Sequence, residues 1–199
     1  DSRRDDPLDD NSGVMHDPVF WTLRITQTLA SIAMAVLSAD FVVGVFHWIE
    51  DAYLREDCPL LGELIAKPNI LHHYRPRHFL KHSWMDSCWD LWVVAALFVL
   101  GAWALESLTP AIWVFACLVG NANQIHKWAH RSRRENGPWI NLLQDLRILQ
   151  SSRHHAIHHT DPKSTHYCVI TEHLNPVLEQ LRFWTHLECW LWRTFRIRR

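Results

Sequence analysis

Apolar positions along the chain gather into three long runs separated by polar, histidine-rich segments. From Ile25 to Ile49 the only charge is Asp40, and at helical rise this run reaches about 37 Å, enough to cross a bilayer. Leu91 to Leu105 carries no charge, and after Glu106 the stretch SLTPAIWVFACLVGNANQI carries none until Lys127. The pattern predicts helices near 25–49, 91–105 and 110–127, the last two joined by a tight turn with Pro110 opening the third. Beyond Pro176, the positions Leu178, Leu181, Trp184, Leu187, Leu191 and Phe195 recur every three or four residues, with Arg182, Arg193, Arg196 and Arg198 among the others. That is an amphipathic helix near 177–196, lying either on a membrane interface or against the domain's own core. The opening DSRRDDPLDDNSG is polar and charged, so residues 1–18 read as a disordered tail and 19–199 as one domain.

Two runs as short as the second and third could also form a buried hairpin in a soluble protein. Tryptophan placement separates the readings: Trp21 and Trp48 bracket the first run, Trp89, Trp92 and Trp103 the second, and Trp113 and Trp128 the third. Indoles at both ends of apolar runs are the aromatic belt of a membrane interface. Lys67, Arg75, Arg77, Lys81, Lys127, Arg131, Arg133, Arg134, Arg147, Arg153 and Lys163 all fall on one side of this topology, and the ESLT turn on the other is acidic. The positive-inside rule makes the basic side cytoplasmic and, with three spans and no earlier span ahead of them, puts the N-terminus outside. The expected fold is therefore all-α: an integral membrane helical protein with about three transmembrane helices and a cytoplasmic cap. A net charge of −1 argues against a nucleic-acid partner and leaves the local RSRR run to membrane orientation. Five scattered cysteines with no C-x-x-C pair indicate neither a disulfide framework nor a thiolate zinc site.

What changes the picture is 15 histidines. The apolar interiors 25–46 and 91–125 hold none of them; they collect at the cytoplasmic helix ends and in the loops between. Asp40, Gly44, His47 and Asp51 in DFVVGVFHWIED share one helical face. His126 and His130 in NQIHKWAH are four apart, as are His154 and His158, and His155 and His159, in SSRHHAIHHTDPKST; NILHHYRP adds His72 and His73. One such pair is commonly a solvated face, but four segments delivering imidazoles to one membrane level point to metal. More imidazoles than one tetrahedral ion can use suggest two ions, and imidazole suits iron, zinc, copper and nickel alike. An ion-transport path would need ligands inside the spans, and a zinc hydrolase of the common type would need H-E-x-x-H; neither pattern occurs.

DFVVGVFHWIED, HHYRP, NQIHKWAH, HHAIHH and YCVI..HLNP resemble, in order and spacing, the motifs of the plasmanylethanolamine desaturase family. These are the Kua- and CarF-type lipid desaturases, which also take in a plant plastid phosphatidylglycerol desaturase. The resemblance runs from about Asp40 to Pro176. It implies a membrane oxidoreductase with two iron ions that uses O2 and two electrons to place a double bond in a lipid chain. Carried over motif by motif, its metal ligands are His47, His72, His73, His126, His130, His155, His158 and His159. His154, His82 and Asp51 stand in reserve, Asp40 lies on the face of His47, and Asp51 and Asp145 are candidates to hold a ligating ring by its second nitrogen, or equally solvated surface carboxylates, the reading favoured for Asp145. The implied substrate is a 1-O-alkyl phospholipid converted to the vinyl ether of a plasmalogen. Desaturation of a phospholipid acyl chain is the enzyme alternative, and a non-catalytic metal-binding membrane protein the alternative from another class. No fused electron carrier is visible, so the donor is expected to be a separate protein of cytochrome b5 or ferredoxin type.

Overall fold

The structure, a computed structural model, describes residues 17–199, so all of the expected tail except Asp17 and Pro18 lies outside the described residues. Helix α1 (Pro18–Ala52) starts where Asp17 caps it, the carboxylate accepting from the Val19 amide at 2.8 Å, with Pro18 in the first turn. At 35 residues it is longer than the apolar run that announced it, because Val19, Phe20 and Trp21 extend the helix past the lone Arg24. A π-turn (Gly62–Ala66) leads into α2 (Lys67–Tyr74), which stops at Arg75 because Pro76 disfavours helical geometry in the residue before it. The short α3 (Pro76–Phe79) follows.

Helix α4 (Trp84–Ala104) opens with a capping box between Ser83 and Asp86. The helix expected over 110–127 is two helices, α5 (Pro110–Gly120) and α6 (Ala122–His130). They break at Asn121, whose side-chain amide donates to the Cys117 carbonyl while its oxygen accepts from the Trp84 indole. Next come α7 (Arg133–Asp145), kinked at Gly137 (φ 72°) ahead of Pro138, and α8 (Ser152–His158). The amphipathic stretch near 177–196 is also two helices, α9 (Leu174–Gln180) and α10 (Phe183–Phe195), divided at Arg182 in the left-handed region. No strand occurs among the described residues.

Helix α5 packs between α1 and α4, and α6 carries that contact on to α4 and α8. The core is built of small and branched residues: Ala39 and Val43 from α1, Val119, Ala122 and Ile125 from α5 and α6, and Val169 and Ile170 from the segment before α9. Gly120 permits a close approach of α5 to α4, since a β-carbon there would lie 2.7 Å from the Trp92 ring. Helices α1 and α4 are long and apolar enough to cross a bilayer, while α5, at 11 residues, falls short by itself. Only 28% and 22% of their most apolar windows are buried within the protein, far less than a soluble core helix requires. Leu23, Ile25, Leu29, Val93, Leu97 and Leu100 face outward.

The tryptophans divide. Trp21, Trp89, Trp103 and Trp113 are exposed, as an interfacial belt needs, but Trp48 is buried against Tyr53 and Trp184 and donates to Glu188 at 3.1 Å. Through Trp184, with Leu187 and Leu191 beside it, α10 packs on the protein's own core, and it leaves Trp190 and Phe195 exposed on its other side. Lys127, counted among the basic flanking residues, is 1% exposed. Its ammonium donates to the His82 and Ser83 carbonyls at 2.8 and 3.1 Å and to the Ser87 hydroxyl, tying α6 to the start of α4.

One buried stretch is not helical. Residues 167–171 run without regular secondary structure through the centre, where every amide and carbonyl needs a partner. Asp40 accepts from the Ile170 and Thr171 amides at 2.8 and 3.0 Å and from the Thr171 hydroxyl at 2.6 Å. Asn175 brackets Cys168, accepting from its amide at 3.0 Å and donating to its carbonyl at 2.8 Å, and Gln150 donates to the same carbonyl at 2.7 Å. Gly44 makes room for the segment: a β-carbon there would sit 2.7 Å from the Cys168 sulfur.

Candidate metal centre

The helix ends meet at one end of the bundle. α1 delivers His47 and Asp51, α2 delivers His72 and His73, α6 delivers His126 and His130, and α8 with its C-terminal cap delivers His155, His158 and His159. Their ligand-type atoms form two groups, each with one atom per residue and all atoms within 4.8 Å of one another. The first group is His72, His126, His130, His155 and His159; the second is His47, Asp51, His73 and His158. The two touch, since the His47 and His126 ring centroids are 5.4 Å apart and those of His73 and His159 are 5.0 Å apart.

In the first group the Nε2 atoms converge. His126 and His155 are 2.8 Å apart there, His130 and His155 2.9 Å, His155 and His159 3.1 Å, and His126 and His130 3.2 Å. A neutral imidazole brings one N–H and one lone pair, so these contacts cannot all be hydrogen bonds at once. Nitrogens sharing one ion at about 2.0–2.1 Å would stand about 3 Å from each other. Both His72 nitrogens are buried with no hydrogen-bond partner. Burial, reinforced by neighbouring imidazoles, pushes the His130 pKa down to about 3 and that of His159 to about 2, and holds His72 and His155 well below the usual histidine range. Neutral imidazole is the form that binds metal.

The second group is oriented from outside. His47 donates from Nδ1 to the Tyr167 carbonyl at 3.0 Å, and His158 from Nδ1 to the Thr165 carbonyl at 2.8 Å, which turns each Nε2 inward without a hydrogen-bond partner. Asp51 accepts from His73 Nε2 at 2.8 Å and from Asn69 at 2.7 Å through Oδ1. Its Oδ2 lies 3.3 Å from His158 Nε2 and 3.7 Å from His47 Nε2. Orphaned buried nitrogens converging on a carboxylate oxygen, beside a cluster of five imidazoles, fit a pair of cations of the iron or zinc type.

The structure thus brings all eight sequence-named histidines together and adds Asp51 to them. The other named residues lie apart. Asp40 spends its carboxylate on the buried irregular segment. His154 meets Asn175 at 3.3 Å and lies near the His166 ring, outside both groups. The His82 ring neighbours His78, and only its carbonyl is engaged, by Lys127. Asp145 forms an exposed two-point pair with Arg133 at 2.7 and 2.9 Å and touches no ring of the site. Three partners were not legible as such: Asn69, and the carbonyls of Thr165 and Tyr167. The i+4 spacing of His47 and Asp51 was the available signal for the carboxylate.

An all-helical chain with two apolar helices of bilayer length and a buried imidazole cluster at one end defines a helical protein built around a candidate metal centre. The chain belongs to the lipid desaturase family, whose domain model matches residues 36–198. It is 31% identical over 168 residues to a protein named as a probable fatty acid desaturase of Acanthamoeba polyphaga mimivirus, covering 83% of each. It is 31% identical to plasmanylethanolamine desaturase 1 of Mus musculus, over 80% of this chain and 63% of the mouse protein. To plasmanylethanolamine desaturase of Myxococcus xanthus it is 27% identical, over 80% of this chain and 59% of the bacterial protein. The chain accordingly spans less than two thirds of the length of the two plasmanylethanolamine desaturases. No solved structure matches it. As a family member it is a desaturase, hence an oxidoreductase of lipid metabolism.

Proposed function

We propose that the chain is a membrane-bound di-iron desaturase that places a double bond near the head end of a phospholipid chain, forming the vinyl ether of a plasmalogen from a 1-O-alkyl phospholipid. The observation that carries this reading is the pair of adjacent ligand groups, five imidazoles beside three imidazoles and a carboxylate. His72, His126, His130, His155 and His159 would hold one iron, and His47, Asp51, His73 and His158 the other. Bound there, the irons would supply O2 activation, with two electrons from an external protein donor and two protons from solvent, so that two hydrogens leave adjacent carbons of the chain and two waters form.

The chain's own residues do the rest. The Tyr167 and Thr165 carbonyls fix the tautomers of His47 and His158, and Asn69 holds the Asp51 carboxylate. The packed α5 and α6 and the buried 167–171 segment close the site to water from behind. His47 lies near the C-terminal end of α1, at the edge of the apolar run, which supports oxidation close to the headgroup rather than in mid-chain. The basic segments at the same end favour a cytoplasmic site. The mimivirus relative's name keeps acyl-chain desaturation as the second reading.

Expression in a host supplied with alkyl ether lipid, followed by acid treatment of extracted lipid, separates the two. Vinyl ethers release an aldehyde in acid, and aldehyde release that is lost in His130→Ala is the expected result. An acid-stable double bond near an ester would move the assignment to the acyl reading, and one in mid-chain would overturn the depth argument.

A further inference from the structure

An open pocket of about 530 Å³ lies beside the candidate metal centre, lined by Arg77, Leu80, Lys81, Arg131 and Glu135. Its single carboxylate is already committed. Glu135 accepts from Arg77 at 2.6 and 3.4 Å, and from the Ser132 amide and hydroxyl at 2.8 and 2.7 Å. Among the described residues, the Lys81 ammonium and the Arg131 guanidinium have neither an ion-pair nor a hydrogen-bond partner, so the pocket presents two uncompensated cations.

Three features bear on what would compensate them. The volume is in the range of small-molecule sites, and a concavity with Leu80 in its wall suits one compact anionic group better than a broad protein surface. The pocket adjoins the first ligand group: Arg131 directly follows His130, and Phe79, next to Leu80, sets its ring 5.1 Å from the His72 ring and 5.3 Å from that of His126. Finally, Lys81 stands just ahead of Trp84, where the bilayer-length apolar helix α4 begins, which is the level of a lipid phosphate.

We propose that this pocket binds the phosphate of the phospholipid substrate, with Lys81 and Arg131 as its cationic contacts, so that the head end of the lipid chain is held beside the metal centre. The inference rests on the lipid-desaturase reading and adds to it a residue-level account of headgroup capture. Arginine offers two parallel donors to phosphate oxygens and lysine a point charge.

The test is equilibrium binding to the purified full chain in non-ionic detergent, which needs no turnover. The probes are a short-chain phosphatidylethanolamine, the matching phosphate-free diacylglycerol and inorganic phosphate, and the proteins are wild type, Lys81→Gln, Arg131→Gln and the double variant. The wild type is expected to prefer the phospholipid to the diacylglycerol by about tenfold or more, as charge-assisted contacts of this kind imply. Each single variant should lose part of that preference and the double variant all of it, while Lys81→Arg keeps it and bound metal is unchanged throughout. The proposal is overturned if the double variant retains the wild-type preference. It is equally overturned if inorganic phosphate binds as tightly as the phospholipid, which would make this a free-anion site. Loss of reduction by an acidic electron-carrier protein with lipid preference intact would also overturn it and make the face a protein-docking surface. Failure of the desaturase reading would look different: the wild type would keep its lipid preference but form no double bond.

Discussion

Two aspartates, Asp51 four residues after His47 and Asp145 at the end of α7, do different work, and their contacts say which. Asp51 meets three histidines and Asn69; Asp145, proposed beside it as a ring-holder, meets only Arg133 at the surface. Asp51→Ala should therefore remove about one iron per chain, because losing an oriented partner typically weakens metal affinity by about 10–100-fold. Asp145→Ala should leave the metal content at the wild-type value, since an exposed pair contributes little. Metal analysis of the two variants side by side checks this, and equal losses in both would contradict the assignment of Asp51. Among the histidines, His126→Ala, His130→Ala, His158→Ala and His159→Ala should each abolish turnover and lower bound metal together. Full activity in any one of them would remove that residue from the site.

At the scale of elements, the site depends on the fit between α1 and the irregular 167–171 segment. Gly44→Ala would push a methyl into the Cys168 sulfur, 2.7 Å away, with the Cys168 amide and α-carbon behind it at 3.2 and 3.3 Å. Such overpacking costs about 1–3 kcal/mol, and here it would also shift the Tyr167 carbonyl that orients His47. A lower melting temperature with reduced bound metal is expected, and Gly44→Ala combined with Cys168→Ala should recover only part of the loss, because the backbone contacts remain. Unchanged metal and melting in Gly44→Ala would mean the segment does not position the site.

The same element shows where sequence reading stops. Apolar periodicity found α1 and α4, and i, i+4 spacing found the histidine pairs, because both signals are local. The break at Asn121 and the division at Arg182 depend on tertiary contacts, such as the Trp84 indole on Asn121. Lys127 looks like any flanking cation until the fold surrounds it with carbonyls, and Trp48 looks like a belt residue until α10 covers it. The burial of residues 167–171 was illegible for the same reason: of its partners, Asp40 and Gln150 are distant in sequence, and only Asn175 is near.

For the molecule as a whole, so many imidazoles buried at one end make stability depend on pH. The folded pKa of His130 is about 3 and that of His159 about 2, below the ordinary value of 6.5, with burial as the main cause. Well above pH 6.5 neither folded nor unfolded chain is protonated there, and these groups contribute no pH dependence. As pH falls below 6.5 the unfolded chain takes up protons that the folded chain refuses, so stability is lost progressively down toward the folded pKa values. Metal-free protein should thus melt at a steady temperature between pH 7 and 8.5 and at falling temperature from pH 6.5 to 5. A melting temperature that does not change between pH 7 and 5 would contradict the burial of neutral imidazoles in the apo protein. Bound metal should flatten the dependence, since its ligation competes with protons for the same nitrogens.

All of this converges on one claim, that two ligand groups side by side hold two irons. Metal analysis of the full chain purified under reducing, iron-replete conditions measures it directly. The account predicts close to two irons per chain, falling in His126→Ala and in His158→Ala, one from each group. Zinc in place of iron, a single ion per chain, or no bound metal in the folded wild-type protein would contradict it.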